Sequence, residues 1–514
     1  MEFVQFLWGV LIFALVVLLI QPQRRVLQQK RLPPSPKKLP FLGNIQELLG
    51  HDLPHVALQR LSKEYGPLML LQLGSIPTLV ISSADVAREI FKAHDIVFSS
   101  RPQLYSAKRL SYGCNDMSFA PYGEYWREAR KIAIIELLSL KRVQSFQSVR
   151  EEEVDFVIDF ITRYSCDDPL RPVDLSELML SLANNVICRV AFGRKYDGSE
   201  VSIGNGNGNG KAKFFEILRA TQRLLGEVNV ADFYPWLGWL LNKLNGLDAR
   251  LEKTFKELDE FYDEVIEEHL QQTSPISNHE DLVDVLLRLQ RDPKQTIALN
   301  NNQVKGILTD MFIAGSDTSS ATLVWAMSEL IRNPSTMKKA QDEVRQVAIG
   351  KRKVEETDLP HLKYLKLVLK ETLRLHPPVP LLVPRETTEP CIVRGYEVPA
   401  KTRVFINAKA ISTDPNAWGD SNPNEFKPER FLICEIDYRG QDFELIPFGA
   451  GRRSCPGLNF AVLLIELALA NLLYRFDWSL PYGMTKDDIH MEEAIGLTTH
   501  KKIPLLLLAS PRTA

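Results

Sequence analysis

The loop at residues 447–457 contains the cysteine whose surroundings best suit chemistry. It reads Pro-Phe-Gly-Ala-Gly-Arg-Arg-Ser-Cys-Pro-Gly and is followed by an almost continuously apolar run from Leu458 to Leu473. This order predicts a glycine-rich loop that places Cys455 at the N-terminus of a buried helix. Backbone N–H groups and the positive end of the helix dipole would then favour thiolate over thiol. Cys455 is therefore suited to bind a metal ion or to attack an electrophile.

A second polar group, Asp317 and Thr318, lies inside an apolar helix predicted from about residue 302 to 332. A mid-helix hydroxyl can bond to the carbonyl four residues earlier and bend the helix, so we expect Thr318 to bond to Ala314. Gly315 removes side-chain bulk at the same turn. The pattern predicts an opening that holds water beside a cofactor. Taken alone, it is equally compatible with a tolerated polar pair on a surface face.

Together these two segments resemble one protein family. The spacing Phe448-x-x-Gly451-x-x-x-Cys455-x-Gly457 resembles the haem-binding signature of the cytochrome P450 superfamily. The sequence Ala314-Gly315-x-Asp317-Thr318 resembles the oxygen-activation motif of that family. The resemblance covers essentially the whole chain and is strongest to the plant microsomal A-type group, close to its seventy-one family. It implies a mainly α fold with small β-sheets, in which one large helical domain encloses haem.

The resemblance also implies roles for individual residues. Cys455 would be the metal ligand, bound to the iron of haem b, and Asp317 and Thr318 would be the catalytic pair that delivers protons. Guanidinium groups suit the haem propionates because their forked donors match both carboxylate oxygens. The implied cofactor-binding residues are Trp126, Arg130, Ala314, Arg385, Phe448, Arg453, Cys455 and Gly457.

Glu371 and Arg374 lie three residues apart on a helix predicted over 359–375, and they resemble the Glu-x-x-Arg helix of the family. Arg430 lies in a segment that resembles the family's Pro-Glu-Arg-Phe sequence. Three charged groups that satisfy one another can be buried where a lone pair could not. We therefore expect these residues to form a structural network behind the haem pocket.

The function implied by the resemblance is monooxygenation of a lipophilic small molecule, such as a plant terpenoid or alkaloid. The sequence shows no Gly-x-Gly-x-x-Gly fingerprint, so electrons from NADPH should arrive through a separate reductase, with cytochrome b5 open as a further donor. An oxygen-independent isomerase or dehydratase, a haem sensor and a cysteine hydrolase are the alternatives. Five segments should line an apolar substrate pocket: about 103–118, 214–240, 307–318, 379–384 and 494–499.

The N-terminus predicts a membrane segment. Phe3 to Ile20 contains only Gln5 as a strongly polar residue and would span roughly 27 Å as a helix, close to a bilayer core of about 30 Å. Basic residues follow it and none precedes it, which orients the remainder to the cytosol and disfavours a cleaved signal peptide. We expect a transmembrane signal anchor at 1–21, a basic, proline-rich linker at 22–40 and a catalytic domain at 41–514. The expected location is the endoplasmic reticulum membrane, with a single pass.

Composition excludes several classes of protein. A formal net charge of −2 with 25% charged and 45% hydrophobic residues is globular, and it argues against a nucleic-acid partner. The 6 cysteines in 514 residues are too few for a disulfide scaffold. In a reducing compartment most of them should be packing thiols, and Cys455 is the exception.

Overall fold

The protein is described by a computed structural model that covers residues 31–48, 50, 52–195, 209–271, 280–293, 299–419 and 422–512. The expected membrane anchor at 1–21 lies outside these residues, as does most of the Gly204–Gly210 segment, for which the sequence predicts a surface loop. Helices dominate the described part, and the strands form small sheets, as the sequence predicts.

The α-helices are α1 Pro54–Tyr65, α2 Ala84–Ala93, α3 Tyr105–Leu110, α4 Glu124–Ile132, α5 Leu140–Ser145, α6 Gln147–Asp167, α7 Leu175–Phe192, α8 Asn209–Gly226, α9 Pro235–Leu244, α10 Leu247–Gln271, α11 Leu282–Arg291, α12 Asn301–Arg332, α13 Pro334–Val347, α14 Lys363–Leu375, α15 Ala408–Ser412, α16 Pro415–Trp418 and α17 Leu458–Arg475. The strands are β1 Leu68–Leu73, β2 Ile76–Ile81, β3 Val173–Asp174, β4 Arg385–Glu386, β5 Cys391–Val393, β6 Tyr396–Val398, β7 Arg403–Ile406, β8 Phe476–Ser479 and β9 Leu506–Pro511.

The strands form three sheets among the described residues. The largest has the order β1-β2-β7-β4, in which β2 and β7 run parallel and the other neighbours antiparallel. The smaller sheets are β3-β9-β8 and the hairpin β5-β6. Strand β4 carries Arg385, so the largest sheet fixes the position of one expected cofactor contact.

Helix α12 runs through the core and packs against α7 and α17. It begins where the side chain of Asn300 accepts from the Gln303 N–H at 2.9 Å while the Gln303 side chain accepts from the Asn300 N–H at 2.9 Å. These reciprocal bonds satisfy backbone donors that a helix start leaves free. Helix α12 ends before Pro334, close to the predicted end at 332. Helix α12 therefore belongs to the core and also carries Asp317 and Thr318.

Helix α14 begins later than the sequence predicts. Instead of one helix from residue 359, a 3₁₀ turn spans Glu356–His361 and contains Pro360, and α14 starts at Lys363. Proline lacks the N–H that a continuous α-helix needs at this point. The shift leaves Glu371 and Arg374 on α14, as expected.

Two helices of the described part, α7 and α17, are long and apolar enough to cross a membrane by length and composition alone. Each has 67% of its apolar window buried inside the protein, as core helices do.

The end of the proline-rich linker is held against the domain by backbone hydrogen bonds. The Leu70 N–H donates to the Pro34 carbonyl at 2.9 Å, and the Glu397 N–H donates to the Arg31 carbonyl at 2.8 Å.

Candidate active site

The loop before α17 holds Cys455 by a backbone hydrogen bond. The Cys455 N–H donates to the Phe448 carbonyl at 2.8 Å, while the Phe448 ring packs 5.7 Å from the Tyr438 ring. Gly449 and Gly451 have φ values of +68° and +67°, which favour glycine. A Cβ on Gly451 would lie 2.4 Å from an Asp95 carboxylate oxygen, so this glycine serves the packing of the loop.

Cys455 itself is exposed, although it lies deep among protein atoms. The two observations agree if the thiol faces an internal cavity. Burial raises the pKa of the Cys455 thiol, whereas hydrogen bonds from the Gly457 and Leu458 N–H groups and the charge of Arg130 act to lower it. The helix start therefore supplies the expected donors, but burial outweighs them in the free thiol. A bound metal ion would favour the thiolate directly.

Four buried or largely buried arginines surround this loop: Arg101, Arg130, Arg385 and Arg453. Burial, and then the charges of Arg385 and Arg130, lower the pKa of Arg453 to about 9. Burial lowers the pKa of Arg385 to about 10. Burial, followed by the neighbouring arginines, also lowers the pKa of Arg101. Asp95, 3.9 Å from Arg385, and the buried Asp116 and Asp310 supply part of the opposite charge, and a bound anion would add to it.

These side chains also hold the backbone around the site. Arg453 donates to the carbonyls of Ser99 at 2.7 Å, Met117 at 2.9 Å and Ala120 at 2.6 Å. The Trp126 N–H donates to the same Met117 carbonyl at 3.2 Å, and the Arg453 guanidinium lies 4.1 Å from the Trp126 ring centre. The structure thus places Trp126 beside the arginines, with its indole N–H bound to the protein.

The other two arginines expected to bind the cofactor, Arg130 and Arg385, bond directly to the cysteine loop. Arg130 donates to the Ser454 carbonyl, and Arg385 donates to the Ala450 carbonyl at 3.1 Å. Arg452, the neighbour of Arg453, is exposed and pairs with Asp95 at 3.1 Å. The residues present therefore fit haem: an exposed thiol lies among buried arginines, whose guanidinium groups suit carboxylates.

The hydrogen bond that the sequence predicts from Thr318 to Ala314 is present. The Thr318 hydroxyl donates to the Ala314 carbonyl at 2.8 Å. Ala314 is exposed and Thr318 half-buried although most of α12 is buried, so this face of the helix borders a cavity. Gly315 differs from expectation, because a Cβ there would lie 2.4 Å from Ile187 of α7. It allows two helices to approach rather than opening the cofactor side.

Asp317 borders a cleft of about 340 Å³ between α8 and the chain near residue 496. Three of the five expected pocket segments meet here. Its lining is partly polar, with Gln222, Arg223 and Glu227 beside the apolar Leu497. Leu308 and Phe312, expected in the pocket, are fully buried, and Phe312 packs 6.3 Å from the Phe192 ring.

Two site residues were not assigned a role from the sequence. In the sequence, Arg101 differs from its neighbours only in being a basic residue within a segment that packs into the core. That difference is a weak indication of a role in the site. His500 follows the last expected pocket segment by one residue, and its Nε2 lies 2.7 Å from Asp317 Oδ1. No sequence spacing links residues 317 and 500, so only the fold reveals this pair.

The expected network behind the site is present. Arg374 donates to both carboxylate oxygens of Glu371 at 2.7 and 2.9 Å, and Arg430 donates to Glu371 at 2.9 Å. Further bonds from Arg374 reach the Ser412 and Pro423 carbonyls at 3.0 and 2.6 Å. Because each charge has partners, the group is stable although Glu371 and Arg374 are fully buried.

Comparison with known proteins places this geometry in a family. The family model for cytochrome P450 matches residues 33–507. Cytochrome P450 71A9 of Glycine max is 56% identical over 99% of this chain and 99% of its own length. Strychnine-11-hydroxylase of Strychnos nux-vomica is 55% identical over 98% of this chain and 96% of its own.

A zebrafish cytochrome P450 structure with abiraterone superposes with a TM-score of 0.73 at 25% identity, covering 90% of this chain and 100% of that one. The fold is thus shared as well as the sequence. With a family match over most of its length and relatives that align almost end to end, the chain belongs to the cytochrome P450 family and is a monooxygenase with a fold that binds haem iron.

Proposed function

We propose that this protein hydroxylates or otherwise oxidises a lipophilic plant specialised metabolite, using O₂ and electrons from NADPH. The observation that carries the proposal is the placement of Cys455, a thiol facing a cavity, among buried arginines. When bound there, haem b would supply oxygen activation and the transfer of one oxygen atom. The electrons would come from a separate NADPH–cytochrome P450 reductase, with cytochrome b5 as a further donor.

The protein's own residues would position the cofactor and handle protons. The Cys455 sulfur would ligate the iron, and Arg130, Arg385 and Arg453 would bind the propionates with Trp126 packed beside them. Ala314, Phe448 and Gly457 would border the macrocycle. Thr318 Oγ1 and Asp317 would hold and pass protons on the opposite side. Helix α12 would keep bulk water from this space.

The substrate would combine an apolar body with a polar group. Leu497 offers an apolar contact in the cleft, whereas Arg223 and Thr498 offer hydrogen-bond donors. The name of the relative strychnine-11-hydroxylase describes hydroxylation of strychnine, and this supports a ring-rich plant product as substrate here. A hydrogen-bonding cleft discriminates among such molecules better than a purely apolar one.

The test is turnover under ¹⁸O₂. A panel of plant metabolites is incubated with the enzyme, and the products are analysed by mass spectrometry. We expect a product that contains one ¹⁸O atom and that forms only when NADPH and a plant reductase are both present. Turnover without NADPH would instead support the oxygen-independent isomerase or dehydratase.

We further propose a membrane attachment at the endoplasmic reticulum, with the anchor at 1–21 as a single pass and the catalytic domain in the cytosol. Exposed apolar side chains on α9 support it, since Trp236 is 66% and Trp239 59% exposed. The Tyr234 hydroxyl donates to the Phe41 carbonyl at 2.9 Å, so α9 lies beside the end of the linker. Tryptophan side chains favour the membrane–water interface.

A further inference from the structure

The acid on α12 has a charged partner from a distant part of the chain. His500 Nε2 lies 2.7 Å from Asp317 Oδ1, which is hydrogen-bond distance. The Asp317 side chain is 10% exposed, whereas the His500 side chain is 38% exposed. Both side chains line the cleft, and the histidine is the more exposed of the two. This is the geometry of a group that connects an interior acid with solvent.

The segment that carries His500 is fixed by α12 and by the chain after α14. The Trp325 N–H donates to the Thr499 carbonyl at 2.9 Å, and the Thr499 N–H donates to the Pro378 carbonyl at 2.8 Å. The Ala494 N–H donates to the His500 carbonyl at 2.8 Å, which closes the loop on itself. The imidazole is thus held at Asp317 by backbone contacts on both sides.

Other charged groups near this pair are directed elsewhere. Across the cleft, Glu227 directly follows α8 and pairs with Arg250 at 3.1 Å, while the exposed Arg223 on α8 lines the cleft. Within the segment of His500, Glu493 pairs with His55 at 2.8 Å. Lys501 donates to the His490 carbonyl. Asp317 is therefore the group that most directly sets the charge of the His500 ring.

We propose that His500 is a positioning residue for proton delivery, which orients Asp317 and passes it protons taken from solvent in the cleft. The inference rests on the proposed function. An imidazolium gives its Nε2 proton to Asp317 Oδ1, which leaves a neutral ring that is protonated at Nδ1. Rotation of this ring then turns Nε2 from Asp317 to the cleft, where a hydrated proton binds it and restores the imidazolium. Asp317 then carries the proton towards the neighbouring Thr318.

The protonation of His500 fits this role. Burial acts to lower the pKa of His500, but the hydrogen bond and charge of Asp317 raise it, and the net shift is upward. The ring therefore stays charged to a higher pH than free imidazole, whose pKa is about 6.5. Proton supply through His500 should decline as pH rises through this elevated pKa.

The first test measures His500 directly, in the haem-loaded enzyme and without turnover. Diethyl pyrocarbonate modifies neutral imidazole, and peptide mass spectrometry gives the rate at His500 as a function of pH. We expect the midpoint to lie above that of free imidazole and to move to lower pH in Asp317→Asn. The exposed His490 is an internal reference, with a rate that this substitution leaves unchanged. An unchanged midpoint at His500 would overturn the pairing.

The second test measures proton delivery by substrate-free NADPH oxidation with excess plant reductase. In His500→Ala we expect a rate about tenfold lower, a larger solvent deuterium isotope effect and a flatter pH profile, since positioned proton transfer contributes about 100-fold or more. In His500→Gln, the glutamine amide can still donate a hydrogen bond to Asp317 but does not titrate. This variant should therefore keep the thermal stability of the wild type and lose its rate of NADPH oxidation. His490→Ala is the control.

A wild-type rate and pH profile in His500→Gln would overturn the relay role, because a purely structural contact would then be sufficient. The carbon monoxide spectrum of each reduced variant separates this inference from the proposed function. A thiolate-type spectrum with no effect at His500 contradicts only the relay. If the wild-type protein does not give the thiolate-type spectrum, the proposed function itself is contradicted.

Discussion

At the centre of α12, the Thr318 hydroxyl uses its hydrogen to bond to the Ala314 carbonyl at 2.8 Å. Its oxygen remains able to accept another hydrogen bond on the face that borders the cavity. The same back-bond recurs one turn later, where the Thr322 hydroxyl donates to the Thr318 carbonyl at 2.8 Å. The two threonines thus share a local structure, but Thr322 is buried, so they differ in access to the proposed haem.

Replacing Thr318 by Ala should separate proton delivery from folding. We expect a stability change within about 1 kcal/mol, because one hydrogen bond is lost while helix propensity improves. Product formed per NADPH should fall at least about tenfold, measured with reductase and an identified substrate. Thr322→Ala is the matched control and should keep the coupling of the wild type. Tight coupling in Thr318→Ala would contradict the role of its hydroxyl.

At the scale of elements, α12 is held against the chain at 111–118 by two contacts. The Asp310 carboxylate accepts from the Met117 N–H at 2.6 Å. One turn earlier, a Cβ on Gly306 would lie 2.0 Å from the Asn115 carbonyl oxygen. This close approach supports Met117, whose carbonyl binds both Trp126 and Arg453.

Gly306→Ala should therefore destabilise the protein, although alanine in mid-helix normally stabilises by about 1 kcal/mol. We expect a loss of about 1–3 kcal/mol in the free energy of unfolding, because the added methyl overpacks against backbone. Urea unfolding of the haem-loaded enzyme measures it. At Gly123, the N-cap of α4, the backbone is extended and the space around the Cβ position is open, so the same change should cost no more than about 1 kcal/mol, through the weaker cap alone. If Gly306→Ala instead stabilises the protein, the predicted clash with the Asn115 carbonyl is wrong.

The motifs predicted these elements well, and their long-range partners poorly. The extent of α12, the Thr318 back-bond and the Glu371 network all follow from local spacing or from the resemblance. The bond from Asp310 to Met117 and the packing of Gly315 on Ile187 depend on how distant segments meet. Single-sequence periodicity carries no such information, which is also why Arg101 and His500 had no assigned role.

At the scale of the whole molecule, the fold brings the end of the linker beside α9. Leu42 and Phe41 are 44% and 64% exposed, and α9 adds Trp236 and Trp239. The Gly226 end of α8 contacts the segment at 497, since a Cβ there would lie 2.7 Å from the Leu497 N–H nitrogen.

Replacing both tryptophans by Ser in a protein without residues 1–21 should weaken membrane attachment. We expect at least about a tenfold loss of binding to phospholipid vesicles, since each exposed indole has a large apolar area to bury at the interface. Vesicle sedimentation measures it. Ile349, an exposed residue just after α13, provides the control. Its replacement by Ser in the same truncated protein should leave vesicle binding unchanged. Equal binding by all three proteins would contradict the membrane role of α9.

The spectrum of the reduced protein with carbon monoxide tests the central claim, that Cys455 binds haem iron through its sulfur. The account predicts the red-shifted Soret band of thiolate-ligated haem in the wild type, its loss in Cys455→Ser and its retention in the control Cys434→Ser. A Soret band at the position of imidazole-ligated haem in active wild-type protein, or an unchanged band in Cys455→Ser, would contradict it.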